Sequence, residues 1–121
     1  MQYMLLIYDD ERVWADMPEA ERNAVYGEYG QYTTELQQSG ALVGADQLQP
    51  TSTATVVRVR DGEHVVTDGP FVETKEVLGG YYLIDVGSLD EALEWAAKIP
   101  SARYGQIEVR PIVMREAEVA S

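Results

Sequence analysis

Two segments of this chain are apolar on both of their alternating faces, and they restrict the possible folds more than any other feature. Tyr3 to Tyr8 reads Tyr-Met-Leu-Leu-Ile-Tyr, and Gly80 to Val86 reads Gly-Tyr-Tyr-Leu-Ile-Asp-Val. Side chains of a strand point alternately to the two faces of a sheet, so a strand apolar on both faces has to be covered on both. Each segment therefore belongs in the middle of a sheet.

Between them, Asp9 to Asp16 reads as a charged loop carrying Trp14. Pro18 stands where a first helical residue belongs, with Glu19 and Glu21 beside it, which is a helix start. Val25, Tyr29, Tyr32 and Leu36 then lie on one helical face, and Gly40 ends the helix. Ala41 to Thr53 is mixed, with a short edge strand around Leu42 and Val43 as one reading. Thr55 to Arg60 and Glu63 to Thr67 flank Asp61-Gly62, the dipeptide that most favours a two-residue hairpin. In that register Arg60 faces Glu63 and Val59 faces His64. Ser88-Leu-Asp-Glu91 is a capping box, and Leu89, Ala92, Leu93 and Ala96 form the stripe of a second helix that Pro100 stops. Gln106 to Arg115 is a last strand, with Pro111 favouring an edge. Arg115 to Ser121 reads as a frayed tail, which leaves 1–115 as one domain and 116–121 outside it.

The order β-α-β-β-β-α-β predicts an α+β fold, a ferredoxin-like antiparallel sheet with two helices on one face. Two helices cover only one face of the sheet. Two strands are nevertheless apolar on both, so the other face is expected to bury against a second copy in a homodimer.

The chain has 121 residues, one domain's worth, and 21 acidic against 9 basic residues. A net charge of −12 repels phosphate backbones and anionic lipid, and no two basic residues are adjacent, so nucleic acid and membrane surfaces are not expected partners. Cysteine is absent and there is one histidine, which excludes disulfides, thiolate metal sites and two-histidine metal centres. No apolar run reaches the length of a membrane span, and the start lacks the pattern of an export signal, so a cytoplasmic location is expected. Neither a dinucleotide nor a P-loop fingerprint is present, so no cofactor is expected, and no nucleophile elbow occurs. Asp9, Asp10 and Glu11 carry oxygen ligands for a hard cation, yet consecutive loop carboxylates are ordinarily solvated, and no metal site is assigned.

The segment from Thr67 to Gly80 is the unusual one. Asp68 accepts bonds from backbone amides two residues on, Gly69 allows a positive φ, and Pro70 sets the turn. Continued as an extended chain, it places Phe71, Glu73 and Lys75 on one side. An aromatic, a carboxylate and an ammonium so placed suit a polar ligand pocket, with Asp68 as a general base. The same composition also makes a stiff surface turn with solvated charges. Gly79-Gly80 suggests a bulge or close backbone packing. Tyr29 lies on the apolar stripe, and its hydroxyl needs a partner if buried. His64 beside the hairpin turn reads as an exposed strand residue.

Asp68-Gly-Pro-Phe71, continued by Glu73-Thr-Lys-Glu76 and Leu78-Gly-Gly-Tyr-Tyr-Leu-Ile-Asp85, resembles the DGPF branch of the YCII-related family. Ser88-Leu-Asp-Glu-Ala92, Glu94-Trp-Ala96 and Glu108-Val-Arg-Pro111 extend the resemblance over nearly the whole chain. It implies a dimeric α+β barrel and a His-Asp pair with the histidine on the first helix. Here that helix has no histidine, and Tyr29 stands at the matching place. An unperturbed tyrosine is a poor base at neutral pH but a good hydrogen-bond donor. The expected function is therefore small-molecule binding or cofactor-independent proton transfer of isomerase or lyase type. Asp68 and Tyr29 are its catalytic candidates, and Gly69, Phe71, Glu73 and Lys75 its ligand-binding candidates. The alternative is a non-catalytic interaction module tied to extracytoplasmic-function sigma factors, beside which such proteins are often encoded.

Overall fold

A computed structural model describes residues 1–69 and 75–115. Its larger sheet contains β1 (Gln2–Asp9), β2 (Leu42–Gln47), β5 (Val77–Asp85) and β6 (Gln106–Pro111). They lie in the order β2-β5-β1-β6, and every pairing is antiparallel. The two segments apolar on both faces are thus the two central strands. The helices are α1 (Glu11–Asp16), α2 (Glu19–Ser39) and α3 (Leu89–Ala97). Between β2 and β5, β3 (Thr55–Arg60) and β4 (Glu63–Asp68) form a separate two-stranded ribbon. The architecture is the ferredoxin-like α+β layer expected from the element order.

One face of the sheet carries the core. Tyr3, Leu5 and Ile7 of β1 and Tyr82 and Ile84 of β5 pack against Tyr32 and Leu36 of α2 and Ala92 and Ala96 of α3. Register explains the selection: Leu5 stands opposite both Tyr82 and Val109, and Tyr3 opposite Ile84. On the other face, Met4, Leu6 and Leu83 are half-buried. Tyr8 donates to Glu108 at 3.4 Å there, and Tyr81 to Asp46 at 2.9 Å.

Local chemistry sets most element ends. Gly40 caps α2 with φ 81°, a left-handed conformation that side chains resist. Ser88 caps α3 by accepting from the Glu91 amide at 3.2 Å. Asp61 (φ 51°) and Gly62 (φ 79°) make the hairpin turn, which pairs Arg60 with Glu63 and Val59 with His64 as expected.

Several elements differ from expectation. The charged segment after β1 folds into α1, because the Asp10 side chain accepts from the Arg12 amide at 3.0 Å and also binds the Arg12 guanidinium at 2.9 Å. Pro18 caps α2 with ψ 147° instead of opening its first turn. In α3 only Ala92 and Ala96 are buried, because they are the residues packed in the core against the sheet; Leu89 and Leu93 lie toward the edge of that face and stay about half exposed. The last strand stops at Pro111, whose ring removes a ladder donor. The second central strand begins earlier, at Val77.

Candidate functional site

The C-terminal end of β1 delivers Asp9 to a corner where four parts of the chain meet. The 3-10 turn Pro100–Arg103 brings Ser101, which is buried. The helix α2 brings Tyr29, whose hydroxyl lies 2.5 Å from Ser101 Oγ. Ser101 also lies beside the Asp9 carboxyl, where its hydroxyl favours the charged form. Arg103 on the same turn donates to Glu28 of α2 at 2.7 Å, which pins the turn to the helix beside Tyr29. Asp9, Ser101 and Tyr29 thus line up as a chain of three neighbouring polar side chains, with the Tyr29–Ser101 hydrogen bond at one end.

A glycine bulge borders Asp9 on the β5 side. The register between β1 and β5 shifts at Ile7/Tyr8, where Ile7 faces Gly80 and Tyr8 faces Leu78. Gly79 is the extra residue of this bulge, as the Gly-Gly pair suggested. A Cβ on Gly79 would stand 3.4 Å from Asp9 Oδ1, so the bare glycine leaves that edge of the carboxyl uncovered.

The electrostatics single out Asp9. Burial first, then the charges of Glu11, Glu76 and Asp10, push its carboxyl above the ordinary value, against the opposing effect of the Ser101 hydroxyl. Its two acidic neighbours in sequence behave differently. Arg12 holds Asp10 low through its side-chain and backbone hydrogen bonds, with the charge of Lys75 adding to this. Glu11 accepts from the Thr51 amide at 2.7 Å and the Thr51 hydroxyl at 2.8 Å. That clamp ties α1 to the segment leading into the β3–β4 ribbon. Burial also raises Tyr29, only partly offset by its bonds to Ser101, so the phenol stays protonated at neutral pH and remains a donor.

Direction in the chain follows from donor counting. An ionised Asp9 only accepts, so a Ser101 hydroxyl turned toward it donates and leaves its lone pair to accept from Tyr29, whereas turned toward Tyr29 it donates there instead. Once Asp9 gains a proton it can donate, and the sequence of donors can reverse. Neighbouring hydroxyls therefore respond to the protonation state of one carboxyl.

The candidates singled out from sequence fall in different places. Tyr29 is at this corner. Asp68 ends β4 on the ribbon, exposed and opposite Thr55. Gly69 follows with φ 93°, and its amide donates to the Ala54 carbonyl at 2.6 Å, closing the ribbon's base. Phe71 and Glu73 lie outside the described residues, as does Pro70. Lys75 is exposed, and its charge reaches Asp10. The far end of the unusual segment, Lys75 to Gly79, thus rims the Asp9 corner, while its near end is tied to the ribbon. His64 is exposed. Asp9 and Ser101 were not among the sequence-derived catalytic candidates. The one available signal was Asp9 closing a buried strand, because a carboxyl at that place ends beside the core.

A shallow cleft of about 420 Å³ lies at the opposite end of β1, lined by Ser39, Gly40, Asp85, Glu91 and Trp95 among others. It shares no residue with the Asp9 corner, and the convergent polar side chains are at the corner. Among the described residues, no helix is long and apolar enough to cross a membrane.

The profile of the YCII-related domain family matches residues 1–116. An uncharacterised protein of Rhizobium meliloti (strain 1021) is 40% identical over 116 residues, covering 94% of each chain.

Proposed function

The chain belongs to the YCII-related family, and from that starting point we propose that it binds a small molecule and moves a proton on it, in an isomerase- or lyase-type reaction that needs no cofactor. The observation that carries this reading is the half-buried Asp9 carboxyl beside Ser101, whose hydroxyl is hydrogen-bonded to Tyr29. A carboxyl raised above its ordinary value is a stronger base once ionised, and its proton is available nearer neutral pH. Tyr29 and Ser101 supply O–H donors that stabilise charge on Asp9 or on an enolate oxygen of the ligand. In this scheme Asp9 takes the acid–base role first considered for Asp68, because Asp9 has the buried surroundings and the donor partners. Tyr29 keeps the donor role. Gly69, Phe71, Glu73 and Lys75 belong to the segment that runs from the ribbon to this corner, and they are proposed to wall the ligand.

The test is deuterium exchange from D2O into a panel of enol-forming carbonyl compounds and small cyclic acids. The wild type is expected to catalyse exchange on at least one compound, and Asp9→Asn to abolish it. Absence of exchange above background across the panel, or full exchange by Asp9→Asn, refutes the proposal.

A protein-contact role is favoured by a different observation. Val57, Val59 and Val66 are each more than half exposed on one face of the ribbon, and two strands alone are marginally stable in water. Together with the half-buried Met4, Leu6 and Leu83, they support pairing of two chains, with the sheet's open face inside the dimer. Sedimentation at micromolar concentration should give a dimer mass for the wild type and a lower mass for Leu6→Lys; a monomeric wild type overturns the pairing. A sigma-factor partner is the non-catalytic alternative. A pull-down from the native cell that recovers no transcription component counts against it.

A further inference from the structure

The chain from Asp9 to Tyr29 exists only because the turn carrying Ser101 comes into direct backbone contact with β1. Gly105 makes that approach possible. Its amide donates to the Ser101 carbonyl at 2.8 Å, and the next residue, Gln106, pairs with Tyr8. A Cβ on Gly105 would run into the Tyr8 carbonyl oxygen and stand 2.9 Å from Asp9 Cα and 3.0 Å from Asp9 Cβ. The obstacle is backbone, so no rotation of a side chain relieves it. Its φ is not in the left-handed region, so the requirement is steric and not conformational. On the other side of Asp9, a Cβ at the bulge residue Gly79 would meet the carboxyl oxygen itself at ordinary contact distance. One glycine therefore admits a neighbouring backbone, and the other leaves open the carboxyl edge that a ligand would approach.

We infer that Gly105 and Gly79 are positioning residues of the Asp9 site: Gly105 lets Ser101 close against Asp9, and Gly79 keeps the outer edge of the carboxyl accessible. Their relevance to turnover rests on the acid–base reading of Asp9, but their effect on its surroundings does not. The groups that face Asp9 are Ser101 and Tyr29 on one side, Glu11 and Asp10 from the start of α1, and Glu76 ahead of β5.

The test is a carboxyl-carbon NMR titration of Asp9 in the full chain, run on wild type, Gly79→Ala, Gly105→Ala and Gly27→Ala. The last is a control, because a Cβ on Gly27 meets open space on α2. In Gly79→Ala the added methyl strips water from Oδ1, so the Asp9 midpoint should move up while the fold is kept. In Gly105→Ala the turn must lift from β1. The midpoint should then fall toward the ordinary carboxylate range as Asp9 becomes solvated, and the Tyr29 ring signals should shift with it. Gly27→Ala should leave both unmoved. An Asp9 midpoint in Gly79→Ala equal to that of wild type overturns the inference, as does a folded Gly105→Ala with unchanged Asp9 and Tyr29 signals. If Gly105→Ala does not fold, Gly79→Ala alone decides. Deuterium exchange on the same variants separates the two proposals. Shifted titrations with no wild-type exchange uphold positioning and refute proton transfer, whereas unshifted titrations refute positioning whatever the exchange rate.

Discussion

Tyr29→Phe removes one hydroxyl from the corner and little else. The ring packs against the core and is kept by phenylalanine. What disappears is the 2.5 Å contact with Ser101. The Ser101 hydroxyl is free to turn toward the neighbouring Asp9 carboxyl, so the larger penalty of about 1–3 kcal/mol for an orphaned buried donor does not apply. The expected cost is that of one net hydrogen bond, about 0.5–1.5 kcal/mol. For a domain of this size that lowers Tm by about 2–9 °C. Because burial keeps the Tyr29 phenol protonated, the loss should be the same across the neutral pH range. Urea unfolding at one fixed protein concentration measures it, with an unchanged m-value showing that the unfolded state is unaltered. A double-mutant cycle with Ser101→Ala should return a coupling energy of about 0.5 kcal/mol or more. If Tyr29→Phe stays within about 0.3 kcal/mol of wild type and the cycle shows no coupling, the two hydroxyls do not form a working contact, and the description of the corner is wrong.

Other outcomes follow from the same structure. Asp9 is raised by burial and then by Glu11, Glu76 and Asp10, so the folded chain binds its proton more readily than the unfolded chain. Its contribution to stability therefore falls as pH rises from the ordinary carboxylate value through the raised folded one. Asp9→Asn should flatten that slope and raise stability at neutral pH, which Tm measured against pH will show. Glu11→Ala removes both bonds to Thr51 and should speed amide hydrogen exchange in β3 and β4 while leaving β1 and β5 protected. Ser88→Ala loses the cap bond to the Glu91 amide and should cost about 0.5–2 kcal/mol in chemical unfolding.

How much was legible in the sequence depends on the range over which each feature is decided. The hairpin register was readable because Asp61-Gly62 forces a two-residue turn, and the turn alone sets every pair along β3 and β4. The α2 stop at Gly40 and the α3 start at Ser88 were readable for the same local reason. Pattern misled where a neighbour's chemistry prevailed. Asp10 and Arg12 turned a charged loop into α1, and a place toward the edge of the α3 contact face left Leu89 and Leu93 about half exposed. Of the candidate site, Tyr29 was singled out because it stands where the family resemblance places a histidine and because its hydroxyl needs a partner when buried, while Asp9 resembled any solvated loop carboxylate.

The sequence by itself determined that two apolar strands would stand at the centre of the sheet, that a helix would follow the first and precede the last strand, and that a hairpin would stand between. Periodicity and turn chemistry act over a few residues, and these features need no more. Only the tertiary structure decided that Asp9, Ser101 and Tyr29 meet. Tyr29 and Ser101 are 72 residues apart. Their meeting with Asp9 depends on sheet order and on a close backbone approach at Gly105 that a Cβ would block. No local pattern carries a contact of that kind, because it arises from where whole elements stop against one another.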